Sequence, residues 1–202
     1  MKKYPAIAII EFKDIAIGIY ATDALVKKAP ISLLKCGIIS RGRYLTLICG
    51  TTGSVEESLA EGLACGKNSV IDHVMLPDVH PQVHDAVLGT RSDVQSGAMA
   101  IIETPTASSN VRAAEMALKG TPVTLSEMRL ADSSLSGKGV SIYRGDLHDI
   151  EAAVDIAATY LKDAGIEVVY KIIPAPSDAL SKQIGAGTYF SESQLLDLEG
   201  EG

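Results

Sequence analysis

The chain of 202 residues has no tryptophan, two phenylalanines and an aromatic content of only 4%. Hydrophobic residues still make up 47%. The apolar mass is therefore mostly Ala, Ile, Val and Leu, which suits compact sheets covered by helices. No apolar run approaches the roughly 20 residues of a membrane-spanning helix. Cys36, Cys49 and Cys65 are an odd set without a C-x-x-C pair. They argue against a disulfide framework or an intrachain zinc site, and for a reducing compartment. Positive charge is also scarce. A formal net charge of −7 speaks against nucleic acid as the main partner, because phosphate binding needs a cationic surface. The opening MKKYPAIAIIEF resembles a secretory leader only superficially, since Glu11 interrupts the apolar run and no small-residue cleavage site follows.

The common signatures of catalysis are missing too. There is no G-x-S-x-G elbow, no G-x-G-x-x-G after a strand and no P-loop. His80 and His84, in HPQVH, have the i, i+4 spacing of helical ligands, with His73 and Asp78 upstream. Zinc needs further ligands close in space. The reading carried forward is that Pro81 starts a short helix with both histidines on its polar surface. No catalytic residue, metal site or cofactor is expected.

What the chain does have is an internal repeat. AIIEF at 8–12 returns as AIIET at 100–104, with Glu11 matching Glu103. The same offset aligns Lys27 with Lys119, Pro30 with Pro122 and Leu33 with Leu125. Gly50 then aligns with Gly145, and Val55-Glu56 with Ile150-Glu151. The second copy thus carries three extra residues between Leu33 and Gly50. The repetition of Glu11 and Glu103 suggests a structural hydrogen-bonding role in both halves rather than a catalytic pair.

Each copy reads as strand, helix, two strands around a glycine loop, helix, strand, then a proline turn and a short helix. The first copy places these at 6–11, 15–28, 32–38, 44–49, 55–65 and 70–76. The second places them at 98–103, 109–119, 124–131, 139–144, 149–161 and 167–173. Gly120 is expected to stop its helix as a left-handed C-cap. The order β-α-β-β-α-β predicts two tandem ferredoxin-like α+β domains, at 5–89 and 97–185. A polar linker spans 90–96. The acidic tail, 186–202, is expected to be partly disordered or to form a small helix in SESQLLDLE.

The residues then carry a likeness. AIIE, ALVKKAPISLL and LTLICGTTGSVEESLAEG in the first half, with AIIET, MALKGTPVTL, SGKGVSIYRGDLHDIEAA and VVYKIIPAP in the second, resemble the bacterial microcompartment shell domain. The likeness covers about residues 5–185. Two non-permuted copies resemble the tandem-domain subfamily of propanediol-utilisation shells. That resemblance implies a non-enzymatic, trimeric, pseudohexagonal tile with a central pore, in a polyhedral shell in the cytoplasm. The partners it implies are two further copies, other shell proteins and small polar or anionic metabolites, with no nucleic acid or membrane.

By the same resemblance, Ser40, Arg41 and Gly42 of the first loop and Leu135, Ser136 and Gly137 of the second lie at the pore. Three Arg41 side chains would favour anions. Alternatively, Arg41 bends away and pairs with an acid such as Asp132. Lys27 and Lys119 match a lysine at the tile edge, or are ordinary solvated lysines at helix C-termini. An arginine common in the family's proline turn is replaced by Asp78 and Ala175, which puts docking strength in doubt. Some tandem members hold an axial iron–sulfur cluster through a cysteine whose place is Ser40 here. A cluster needs thiolates, and Cys36 lies four residues earlier in an expected strand. Two other readings stay open: an electron-carrying tile with an axial metal centre, and a duplicated effector-binding regulator.

Overall fold

The computed structural model describes residues 4–132, 134–196 and 198. The first half runs β1 (Ala6–Phe12), α1 (Ile15–Lys28), β2 (Leu33–Ile39), β3 (Arg43–Gly50), α2 (Thr52–Gly66), β4 (Val70–Leu76) and α3 (Pro81–Val87). The second repeats it as β5 (Ala98–Thr104), α4 (Ala107–Gly120), β6 (Thr124–Leu130), β7 (Gly139–Gly145), α5 (Leu147–Asp163), β8 (Val169–Ile173) and α6 (Asp178–Ala186). The sheets have the orders β2-β3-β1-β4 and β6-β7-β5-β8, and among the described residues their strands pair antiparallel.

Local chemistry sets the helix starts. Thr51, Thr106 and Ser177 each accept a backbone N–H three residues on, satisfying one of the free donors of a first turn. Pro81 stands at the start of α3, where its missing N–H costs nothing. Gly120 does not cap α4. It is the last helical residue, and Thr121 turns extended before Pro122, as residues preceding proline do. Its work is close packing: a Cβ there would lie 2.6 Å from Ile156 Cδ1.

Strand β1 is buried on both faces. Ala6, Ala8, Ile10 and Phe12 face Ala21 and Leu25 of α1 and Val55 and Leu59 of α2. Ile7 and Ile9 face the other way. With Leu47, Val74, Val83 and Val87 they merge into one cluster with the core of the second half, including Ala100, Val111, Ala114 and Ile150. Helix α4 is thus packed on two sides. Its run of Ala, Ser, Asn and Gly provides the short side chains that such an approach needs.

The repeat is imperfect where the sequence indicated. Residues 39–43 join the paired residues Ile38 and Tyr44, whereas residues 131–138 join Leu130 and Gly139, three more. A bulge at Ser126 shifts register by one, so Leu125 pairs with Tyr143 as Leu34 pairs with Ile48. The expected helix in the tail does not form in its described part: residues 190–192 make a 3-10 turn and 193–196 are irregular. Residues 197 and 199–202 lie outside the described residues.

Candidate pore site

The two expected pore loops meet inside one chain. Ser40–Gly42 form a 3-10 turn between β2 and β3. The second loop is closed by Ala131 N–H to Lys138 O at 2.9 Å and Lys138 N–H to Leu135 O at 3.0 Å. Ser40 joins them. Its hydroxyl donates to Ala131 O at 3.1 Å and accepts from Gly137 N–H at 2.7 Å. Its N–H also reaches Ala131 O, at 3.3 Å.

Strain concentrates here. Among the described residues four non-glycines have positive φ, and three are in these loops: Arg41, Ala131 and Ser136. Such a conformation costs about 1–2 kcal/mol per residue, so the surrounding bonds must hold it. The backbone favours glycine at 137, and the space beside it is tight. Its φ is 86°, and a Cβ would lie 2.8 Å from Arg43 Nη1. That Nη1 is itself buried without a hydrogen-bond partner.

Arg41 is exposed and forms no ion pair among the described residues. Within the chain it does not pair with Asp132, whose oxygens are already engaged. Arg129 holds it through Nε and Nη2, both at 2.8 Å, and Ser134 and Tyr189 also donate to it. Burial pushes the Asp132 carboxyl up, but these bonds prevail and hold it down at about 2. Arg129 also donates to Thr188 and lies 3.7 Å over the Tyr189 ring. The tail is thereby strapped to the base of the second loop. Leu135 is half-buried, and Ser136 and Gly42 are exposed.

The repeated glutamates sit at different junctions. Glu11 is buried, and its Oε1 accepts from Ser108 N–H at 2.8 Å in the first turn of α4. Beside it, Thr106 donates to Asp72 at 2.5 Å. Burial pushes the Glu11 carboxyl up to about 7, with Asp72 adding to the rise and the Ser108 bonds and Arg43 opposing it. Glu103 instead accepts from Lys138 at 2.6 Å and is partly exposed.

The lysines differ in the same way. Lys119 bonds Glu115 at 2.7 Å and Asp78 O at 2.6 Å, across the junction. Among the described residues Lys27 pairs only with Asp23, at 2.6 Å, and it is 72% exposed. His80 caps α3 through Nδ1, but His84 is buried rather than on a polar surface, with Nδ1 beside Asp85 at 3.0 Å. Cys36 is exposed in β2, Cys49 is buried, and Cys65 lies between.

Known proteins match this architecture. The family profile described as the BMC domain matches residues 6–79 and again residues 98–176. The chain belongs to the BMC-domain family of bacterial microcompartment shell proteins. The chain is 31% identical to the bacterial microcompartment shell protein PduT of Citrobacter freundii, over 90% of this chain and 98% of that one. A crystal structure of a microcompartment protein from Desulfitobacterium hafniense DCB is 34% identical, with a TM-score of 0.78, covering 88% of this chain and 98% of that one. The fused permuted hexameric shell protein of the RMM microcompartment shares the fold, at 22% identity and a TM-score of 0.58, over 82% and 88% of the two chains. This protein is a structural component of a microcompartment shell, built from two BMC domains in tandem.

Sequence reasoning missed the Arg129–Tyr189 strap and the capture of α4 by Glu11. Neither has a local signal. Both join residues more than 50 positions apart.

Proposed function

We propose that three copies close into a ring without catalytic activity of their own, with the paired loops around a central pore. The observation that carries this is an unmet complement between the halves. Helix α4 lays its buried side on the first sheet, with Thr106 on Asp72 and Arg112 bonded to His73 O. The matching surfaces at the other end of the chain are bare. Ile19 and Tyr20 of α1 are 52% and 63% exposed, and Val169 and Tyr170 of β8 are exposed as well. Repeating the internal junction between chains would set α1 of one chain on β5 and β8 of the next. That contact is head-to-tail, so it propagates until the ring closes. The halves are taken as 5–89 and 97–185, and the family likeness supports three chains.

In such a ring, Arg41, Leu135 and Ser136 surround the opening. Three unpaired Arg41 guanidinium groups raise the local concentration of anions at a constriction. Ser40 holds the loops together, and Gly42 and Gly137 let them turn. Lys27 and Lys119, at the outer ends of their helices, serve the contact with neighbouring shell tiles.

Light scattering should give three chains per particle, with sheets visible by electron microscopy at high concentration. A monomer with no tendency to form sheets would overturn the reading. For the pore, Arg41→Ala should lower the anion preference of flux through reconstituted shells; an unchanged preference removes Arg41 from that role.

A further inference from the structure

We propose that the cleft at the base of the first loop binds a small amphipathic anion, an aliphatic carboxylate of about six to ten carbons. The cleft holds about 450 Å³ between the outer face of β2–β3, the end of α3 and β6. Gly37, Leu45 and Leu47 of the first half and Val87, Met128 and Leu130 line it. Lys35, Asp132 and Tyr189 stand at the rim.

The two halves differ here in a telling way. Strand register makes Gly37 the counterpart of Arg129, and Lys35 that of Glu127, since Gly37 and Lys35 pair with Leu45 and Leu47 while Arg129 and Glu127 pair with Val140 and Ile142. In the second half this space is filled. Arg129 lies between Asp132 and the Tyr189 ring, and Glu127 meets Arg91 at 3.4 Å. In the first half nothing among the described residues fills it: a Cβ on Gly37 would have no neighbour within 4 Å. The cleft is therefore a divergence between the copies and not a gap common to both.

Its chemistry selects the ligand. The apolar lining suits an aliphatic body. Asp132 is neutralised by Arg129, so it neither attracts a cation nor strongly repels an anion. Lys35 forms no ion pair among the described residues, and its ammonium is the free charge at the rim. A carboxylate head meets it while the chain lies against Leu47, Val87 and Met128. The cleft forms within one chain, so this site stands whether or not the ring and pore are as described.

The test is titration of the full-length protein with octanoate, followed by calorimetry and by the Met128 methyl resonance. The expected result is saturable binding at one site per chain with a shift of the Met128 methyl. Gly37→Arg, which restores the side chain of the other half, should abolish it. Lys35→Gln should weaken it about fivefold, the scale of a partly exposed ion pair. 1-Octanol should bind the unaltered protein about as weakly as octanoate binds Lys35→Gln. Absence of saturable binding, an unmoved Met128 methyl, or equal affinity for octanol and octanoate would each overturn the proposal. So would undiminished binding by a folded Gly37→Arg protein.

Discussion

Helices α1 and α4 occupy equivalent places in the repeat, yet α4 buries ten of its residues and α1 only four. Their sequences follow that difference. Where α4 has Ser109, Val111 and Arg112, α1 has Ile17, Ile19 and Tyr20. A helix pressed between two sheets of one chain is built from short side chains. A helix with one face open carries bulky apolar ones, the composition of a surface that another chain covers. Duplication made the two helices alike, and their different places within the chain go with the difference.

The sharpest way to break the comparison is a charge at matched positions. Val111→Asp buries a carboxylate in the shared core and should cost at least about 3 kcal/mol, seen as a large fall in the denaturant midpoint. Ile19→Asp should leave the chain folded but reduce its assembly in light scattering. Loss of folding by Ile19→Asp alone would mean that α1 is not a free face.

Next in size is the pair of glutamates. The fold raises the Glu11 carboxyl to about 7 from an ordinary 4.5, so it favours the protonated form. The resulting stability is complete below about pH 4.5 and is lost as pH rises through 7. Between pH 5 and 8 this amounts to about 2 kcal/mol. Glu11→Gln should flatten the pH dependence of unfolding over that range, and Glu103→Gln should not.

Ser40→Ala removes the stitch between the loops and should cost about 1 kcal/mol, with faster amide exchange at Gly137. The smallest contrast concerns the lysines. Lys119→Ala loses a bond across the junction and leaves the buried Glu115 with less compensation, an effect of about 1 kcal/mol. Lys27→Ala loses only an exposed i, i+4 pair, about 0.3–0.5 kcal/mol. Equal losses by denaturant titration would erase the distinction between the two lysines.

Much of the fold was legible because the repeat doubled every signal. The offset between Glu11 and Glu103 fixed the strands, and the three-residue gap located the longer loop. The bulge at Ser126 was not legible, since a one-residue deletion before it hides the shift. Helices α2, α4 and α5 begin two or three residues earlier than expected, because first turns hold polar residues such as Ser54 and Ser108 that periodicity ignores. At the loops, residue types were readable but partners were not. Ser40 reads as a free hydroxyl until Gly137 and Ala131 are beside it. Asp132 reads as a partner for Arg41 until Arg129 claims both its oxygens. His84 reads as polar surface, yet it is buried, with the Tyr4 ring beside it and the Tyr4 N–H donating to its Nε2.

The joint core of Ile7, Ile9, Val83 and Val111 also bears on how the chain is made. Synthesis runs from the N-terminus, so α3 is complete 33 residues before the end of α4. At about 5–20 residues per second, that interval is about 2 to 7 s. During it the nascent first half carries an uncovered sheet face, open to chaperones and to neighbouring nascent chains. The short linker keeps this interval brief, which favours pairing of each first half with the second half of its own chain.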